Sequence, residues 1–443
     1  MTRQEITRLL QTEMVPALGC TGPTAYALAT ACCRPYLTAA PEKVKIYVSP
    51  AFLKIGFGVA TPGTSRPGIP IAAALGLIGG DYKLGLQVLV PATAEDMKAA
   101  DELTDSGIIQ VLCAWDKKGV YVRAEVETKN ETVLAVVEHT HDGVSLIQVN
   151  GKAVYENQVE GGEEESAQEQ FMTLDEIFDY VENAPLEDIH FLLDGWKMNM
   201  ELARAALEQP FGLASGRAYL KECWKAKGVP ADLFERPMDY LPDNAMEQSR
   251  ILVAAASDGR MGGCRLPAMA AMGDGNQGLT ATIPIGVAAK FLGADEEKTC
   301  RALAMSCLML FFVKMNIGRA AAFCLCAIAA SAGVAAGLSY LRGMPREQVC
   351  GAVKNVISPL AGMLCDGAKN GCALKMAVAA STAMSACDLA QDGVQMGFYD
   401  GMCDDTLEDT VACITGVANQ SMDLLDRCMV EEILKKANRN TVK

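Results

Sequence analysis

Residues 320–341 read AAAFCLCAIAASAGVAAGLSYL, a run without a single charge. A helix built from them has no polar face, so it must be enclosed on all sides, by protein or by lipid. Its residues are mainly Ala, Gly, Ser and Cys rather than Leu, Ile and Phe, which suits close packing at the centre of a large folded core. No other segment of comparable length stands out, so a membrane span is not expected. A helical body arranged around this stretch is.

The rest of the chain fits that expectation. It has 443 residues, half of them hydrophobic, enough for two or three domains with sizeable cores. The first forty residues read as helix in two pieces, RQEITRLLQTEMVPALG and, after Pro23, TAYALATACCRPYL. KVKIYVSP then alternates as a strand, GFGVATPGTSRPG forms a glycine-rich loop and IPIAAALGLIGG a helix. Several short strands follow from Ile108 to Val154, divided by Lys-Lys-Gly, Lys-Asn and His-Asp-Gly turns. From Thr173 to the C-terminus the period is helical, interrupted at glycine and proline clusters. The expected class is α+β: a large all-α catalytic domain that includes the N-terminal helices, with a smaller mixed α/β domain inserted near the N-terminus. The boundaries are 1–42 for helices packing on the helical domain, 43–158 for the α/β domain, 159–171 for an acidic linker and 172–443 for the all-α domain.

A net charge of −15 and a pI near 4.8, with no long Lys/Arg block, argue against a nucleic-acid partner. The N-terminus alternates in charge and lacks the apolar run and cleavage site of a secretory signal, so a cytoplasmic protein is expected. In that reducing compartment seventeen cysteines are not a disulfide framework. Cys300, Cys307 and Cys387 lie in apolar helical stretches, where cysteine behaves as a small hydrophobe.

Only three histidines are present, His139, His141 and His190, all before the long helical region. They favour neither a Ser-His-Asp triad nor a multi-histidine metal site. There is no Walker A sequence, and GFGVATPG does not match a dinucleotide fingerprint. What remains is polar, glycine-rich and cysteine-bearing. Residues 256–286, ASDGRMGGCRLPAMAAMGDGNQGLTATIPIG, are expected to break the helical pattern with a loop that carries Asp258, Arg260, Asn276 and Gln277. Glycines there let backbone approach a ligand, and arginine can clamp a carboxylate. Tight helix connections would use the same glycines, and composition does not separate the two.

Cys365 and Cys372 flank a polar turn in LCDGAKNGCALK, and FCLC offers a third thiol. On a regular helix Cys324 and Cys326 differ by about 200° in direction, so only one of them is expected to reach the same site. Three thiolates without histidine suit zinc or an iron–sulfur cluster; scattered core cysteines are the alternative. Cys20, in PALGCTGP, falls at a break between helices, where a thiol can be activated or simply packed.

Taken together, PALGCT, ASDGRMGGCRLP, GDGNQG, IGRAAAFCLCAIAA and CDGAKNGCALK resemble, in order and spacing, the oxygen-sensitive iron–sulfur L-cysteine desulfidases, a family related to the alpha chain of bacterial iron–sulfur L-serine dehydratases. The resemblance implies β-elimination of L-cysteine to pyruvate, ammonia and hydrogen sulfide with a [4Fe-4S] cluster as Lewis acid. It implies Cys324 (with Cys326 as runner-up), Cys365 and Cys372 as cluster ligands and Cys20 as base. Asn276 and Gln277 would hold the substrate, and Lys54, in FLKIGFGVATPGT, would neutralise its charge. Where the family reads LGCTEP this chain has Gly22, and FCLC stands for LCGC. L-serine or another β-substituted amino acid as substrate, or amino-acid binding without turnover, are therefore the alternative readings. The expected partner is a small amino acid, with no nucleic acid and no membrane, and with a homodimer as an open assembly state.

Overall fold

The structure is a computed structural model that describes residues 1–18, 21–64, 66–157, 172–230, 233–318 and 321–440. The acidic stretch 159–171 lies outside the described residues. In chain order the elements begin with helix α1 (Arg3–Glu13), strand β1 (Met14–Leu18), α2 (Thr21–Cys33), β2 (Lys43–Val48), α3 (Pro50–Gly56), α4 (Ile69–Gly79) and α5 (Ala94–Asp105). Strands β3 (Ile109–Cys113), β4 (Tyr121–Glu127), β5 (Thr132–Glu138), β6 (Val144–Val149) and β7 (Lys152–Glu156) come next. Then follow α6 (Leu174–Asn183), α7 (Leu186–Ile189), α8 (Phe191–Glu208), α9 (Ser215–Lys227), α10 (Ala245–Met261), β8 (Pro267–Ala271), α11 (Gly275–Leu292) and α12 (Glu296–Ile317). The chain closes with α13 (Leu325–Leu341), α14 (Arg346–Leu360), α15 (Cys372–Gln391) and α16 (Leu407–Asn440). The class is α+β with a dominant helical part, as expected.

Two units share these elements, and neither is contiguous in sequence. One gathers Met1–Gly19, Gln168–Cys365 and Asn370–Asp423; the other gathers Cys20–Ala167, Asp366–Lys369 and Leu424–Lys443. The division therefore falls differently from boundaries at 42, 158 and 172. Helix α2 goes with the sheet rather than the helical body, because Tyr26, Leu28, Cys32 and Cys33 share one core with Val44, Ile46, Val122 and Val133. Val430 and Ile433, near the end of α16, join that same core.

In the α/β unit the sheet order is β3-β2-β4-β5-β6-β7. Within this sheet, among the described residues, β2 and β3 pair in parallel, the crossover being α3 to α5, and the other neighbouring strands pair antiparallel. Burial alternates along β2, as one covered face requires. The exposed β7 forms an edge.

In the helical unit, α13 is buried along nearly its whole length. Its small residues are what allow this. A Cβ added to Gly333 or Gly337 would lie 2.3 Å from the Ser306 carbonyl oxygen or 2.7 Å from that of Ala302, both on α12. Residues 320–341 thus supply a central helix of seventeen residues. Among the described residues, the two helices that meet the length and composition of a bilayer span are instead α12 and α15, each of which carries charged residues among its apolar ones.

This unit is not purely helical. Met14 to Leu18, expected to continue the first helix, pair antiparallel with β8, Leu18 opposite Pro267 and Met14 opposite Ala271. Pro16 lacks the N–H that a helix interior needs, and an edge strand tolerates it. Behind β8, the buried Asn199 on α8 accepts from Met269 N–H at 2.8 Å and donates to Thr282 Oγ1 at 2.8 Å. One amide thereby ties β8 to the first turns of α11. Gly278 makes the approach possible, since a Cβ there would lie 1.9 Å from the Met269 carbonyl oxygen. Gly278→Ala must push β8 away from α11, and a loss of about 3 kcal/mol in unfolding free energy by urea titration is expected; an unchanged midpoint would contradict this packing.

Candidate functional site

Cys324 and Cys365 are placed by backbone pairing. Cys324 N–H donates to Met363 O at 2.7 Å and Cys365 N–H to Ala322 O at 2.6 Å, flanking an antiparallel bridge between Phe323 and Leu364. Side chains alternate across such a pairing, so Phe323 and Leu364 take one face while Cys324 and Cys365 take the other. Both cysteines pack against the core formed by α8 to α11, α13 and α15. Cys372 opens α15, and Lys375, one turn later, donates to Leu364 O at 2.6 Å. The first turn of α15 thus lies beside the strand that carries Cys365.

The expectation that Cys324 and Cys326 point apart does not hold, because the helix is not regular there. Cys324 is the N-cap of α13, with ψ of 89°, and α13 begins at Leu325. The Cys326 thiol lies within hydrogen-bond reach of the Cys324 sulfur and donates to Asp274 Oδ2 at 3.1 Å. Contact with the Cys326 thiol, aided by the Lys375 charge and the Ala327 N–H against the opposing effect of burial, brings the Cys324 thiol down to about 7. The Cys324 contact, burial and the Asp274 carboxylate push the Cys326 thiol up. The two shifts run in opposite directions, favouring the charged form at Cys324 over Cys326.

Asp274 is the hub of the neighbouring polar cluster. It caps α11 by accepting from Asn276 N–H at 2.8 Å, and Gln277 Nε2 approaches its other oxygen at 3.5 Å. Burial raises its carboxyl, but the charges of Arg260 and Lys314, with the Cys326 and Asn276 hydrogen bonds, prevail and hold it below the usual carboxylate range. Lys314, buried in the apolar C-terminal half of α12, donates to Met272 O at 2.8 Å. Asn276 and Gln277 are buried at the start of α11; Asn276 Oδ1 accepts from Ser257 Oγ at 3.3 Å, and Gln277 Oε1 has no partner among the described residues.

The long loop expected over 256–286 is much shorter. Helix α10 runs on through Asp258 and Arg260, and α11 begins at Gly275. Asp258 and Arg260, two apart, face different neighbours as helical geometry dictates. Asp258 accepts from Ser215 Oγ at 2.8 Å and Gly216 N–H at 3.0 Å, anchoring α9.

Lys54, expected to neutralise substrate charge, is buried on α3 with its ammonium 2.5 Å from Asp426 Oδ1 on α16. Its charge is already matched within the α/β unit. Its carbonyl matters too. Gly367, at φ +95°, packs so closely that an added Cβ would lie 1.9 Å from Lys54 O, so the segment between Cys365 and Cys372 requires glycine twice over. Cys20 lies outside the described residues, and Gly22 sits in the first turn of α2.

The three cysteines of the resemblance, Cys324, Cys365 and Cys372, thus come from adjoining segments, two of them at helix starts where a thiolate is favoured. Among the described residues no three His, Cys, Asp or Glu side chains converge closely enough to hold a single metal ion. A cluster takes one thiolate per iron, and three cysteines without histidine or carboxylate are donors of the kind it uses. Asp274, Lys314 and Lys375 are not among the residues that the sequence singles out. Asp274 has a signal, an Asp before Gly at a helix start, and Lys314 has another, a charge within an apolar run.

The serine dehydratase alpha chain family model matches residues 83–431. A UPF0597 protein of Desulforapulum autotrophicum is 35% identical over 97% of this chain and 97% of its own length. Those of Clostridioides difficile and Porphyromonas gingivalis are 33% and 32% identical, covering 95% and 98% of this chain and 97% and 99% of their own.

Burial pushes the Asp258 carboxyl up to about 6, despite the hydrogen bonds from Gly216 and Ser215. A raised carboxyl holds its proton more tightly in the folded state than in the unfolded one, whose value is about 3.9, so its contribution to stability is full below about pH 4 and lost as pH rises through about 6. The difference in unfolding free energy between the parent protein and Asp258→Asn should change by up to about 3 kcal/mol between about pH 4 and 7. A constant difference across urea titrations at those pH values would refute the assignment.

Proposed function

Because the chain belongs to the serine dehydratase alpha-chain family, we propose that it is a lyase that eliminates the β-substituent of a small L-amino acid, with L-cysteine as substrate and pyruvate, ammonia and hydrogen sulfide as products. The observation that carries the reading is the pairing of residues 322–324 with 363–365, which turns Cys324 and Cys365 to one face beside the start of α15. We assign Cys324, Cys365 and Cys372 as ligands of a [4Fe-4S] cluster, leaving Cys326 as a protonated neighbour. Three thiolates leave one iron of such a cluster open, and when bound it would supply a Lewis acid for the leaving group.

The chain's own residues supply the rest. Cys20, the base that the resemblance implies, takes the α-proton as thiolate; the C–H electron pair becomes the Cα–Cβ double bond and the C–S bond breaks, releasing sulfide. The aminoacrylate then tautomerises to an imine, and water hydrolyses it to pyruvate and ammonia. Asn276 and Gln277, buried at the N-terminus of α11, orient the substrate through amides that both donate and accept. A second reading, L-serine with loss of water, is supported by the description of the matched family. A cytoplasmic location suits the thiol-rich composition.

Anaerobic reconstitution should yield about four irons per chain and pyruvate release that is faster from L-cysteine than from L-serine. The reverse preference would favour dehydration of serine, and an iron-free, inactive protein would sink both readings. Cys365→Ala should lose the cluster absorbance while keeping its helical circular dichroism; full iron content in that variant would remove Cys365 from the ligand set.

A further inference from the structure

The Arg260 guanidinium is buried, 4% exposed, yet poorly matched. Its Nε has no hydrogen-bond partner among the described residues, and its Nη1 stands 3.8 Å from Asp274 Oδ1, outside hydrogen-bond length. It lies against Gly275, the first residue of α11, where an added Cβ would be 2.2 Å from Nε. Glycine at that position therefore makes room for the guanidinium at the positive end of an eighteen-residue helix.

Arg260 and Lys314 both act on the carboxylate of Asp274, and the Arg260 guanidinium reaches that carboxylate only at 3.8 Å. The Asp274 side chain is 36% exposed. An unused donor on Arg260, an unused acceptor at Gln277 Oε1 and a helix N-terminus together describe a receptor for a small zwitterion.

We propose that Arg260, at the N-terminus of α11, binds the α-carboxylate of the amino-acid substrate, with Gln277 Oε1 accepting from its ammonium. This rests on the lyase reading above and deepens it: the carboxylate becomes the recognised group, while the β-substituent is left toward the cysteines. A guanidinium fork suits a carboxylate in geometry as well as charge.

The test uses the full, anaerobically reconstituted protein and L-alanine, which has no leaving group, with L-alaninamide as the counterpart that lacks the carboxylate. Calorimetry should show L-alanine binding at least about tenfold more tightly than L-alaninamide, and Arg260→Gln should abolish that preference while iron content stays at the parent level. Arg260→Lys, which keeps the charge beside Asp274 but not the fork, should fold even where Arg260→Gln does not and should retain only part of the preference. Parent protein that binds both ligands equally, or either variant with the full parent preference, would overturn the assignment and leave the lyase reading standing. A cluster-loaded parent protein that binds no amino acid would overturn both.

Discussion

Two backbone hydrogen bonds, Cys324 N–H to Met363 O and Cys365 N–H to Ala322 O, organise the candidate site. They do more than join two loops. By ending the extended segment at Cys324 they set where α13 starts, and by pairing residues far apart in the chain they decide which sulfurs share a face. Lys375 extends the arrangement by tying the first turn of α15 to Leu364. The cysteines are thus positioned by main chain and helix ends, which hold geometry better than flexible side chains do.

The polar half of the site depends on that frame. Asp274 can be a carboxylate because Arg260 and Lys314 oppose the effect of burial, and its position as the α11 cap follows from the close approach of α11 to β8. Asn199 and Gly278 enforce that approach from behind. Cys326 links the two halves, its thiol lying between Cys324 and Asp274. A buried cluster of this kind is costly unless each charge is matched, and the incomplete matching at Arg260 is what marks it as a place for a ligand.

Much of the scaffold is legible in the sequence. The alternation in KVKIYVSP and in the strands that follow, and the small-residue composition of the apolar run ending at Leu341, point to half-buried strands and a buried helix, and the structure has both. Residues 14–18 mislead because MVPAL has neither alternation nor length enough to reveal a strand whose partner lies far down the chain at Pro267–Ala271. Residues 256–286 mislead for the opposite reason. Their glycines signal loops, but Gly259, Gly275 and Gly278 sit in helices, where they admit neighbouring side chains and backbone. Lys54 looks functional beside a glycine-rich loop, and only Asp426, on a distant helix, reveals where its charge is used.

By itself the sequence determined which segments must be hidden from water, which strands alternate and which residue types are available for chemistry, because burial and periodicity are local properties of composition and spacing. It also carried the motifs from which the family could be read. Only the tertiary structure decided that α2 and the end of α16 belong to the sheet's core, that Cys324 and Cys326 face each other beside Asp274, and that Arg260 faces the start of α11. Those outcomes depend on contacts between residues far apart in the chain and on the charge and hydrogen bonds that each neighbour brings, and no local pattern encodes them.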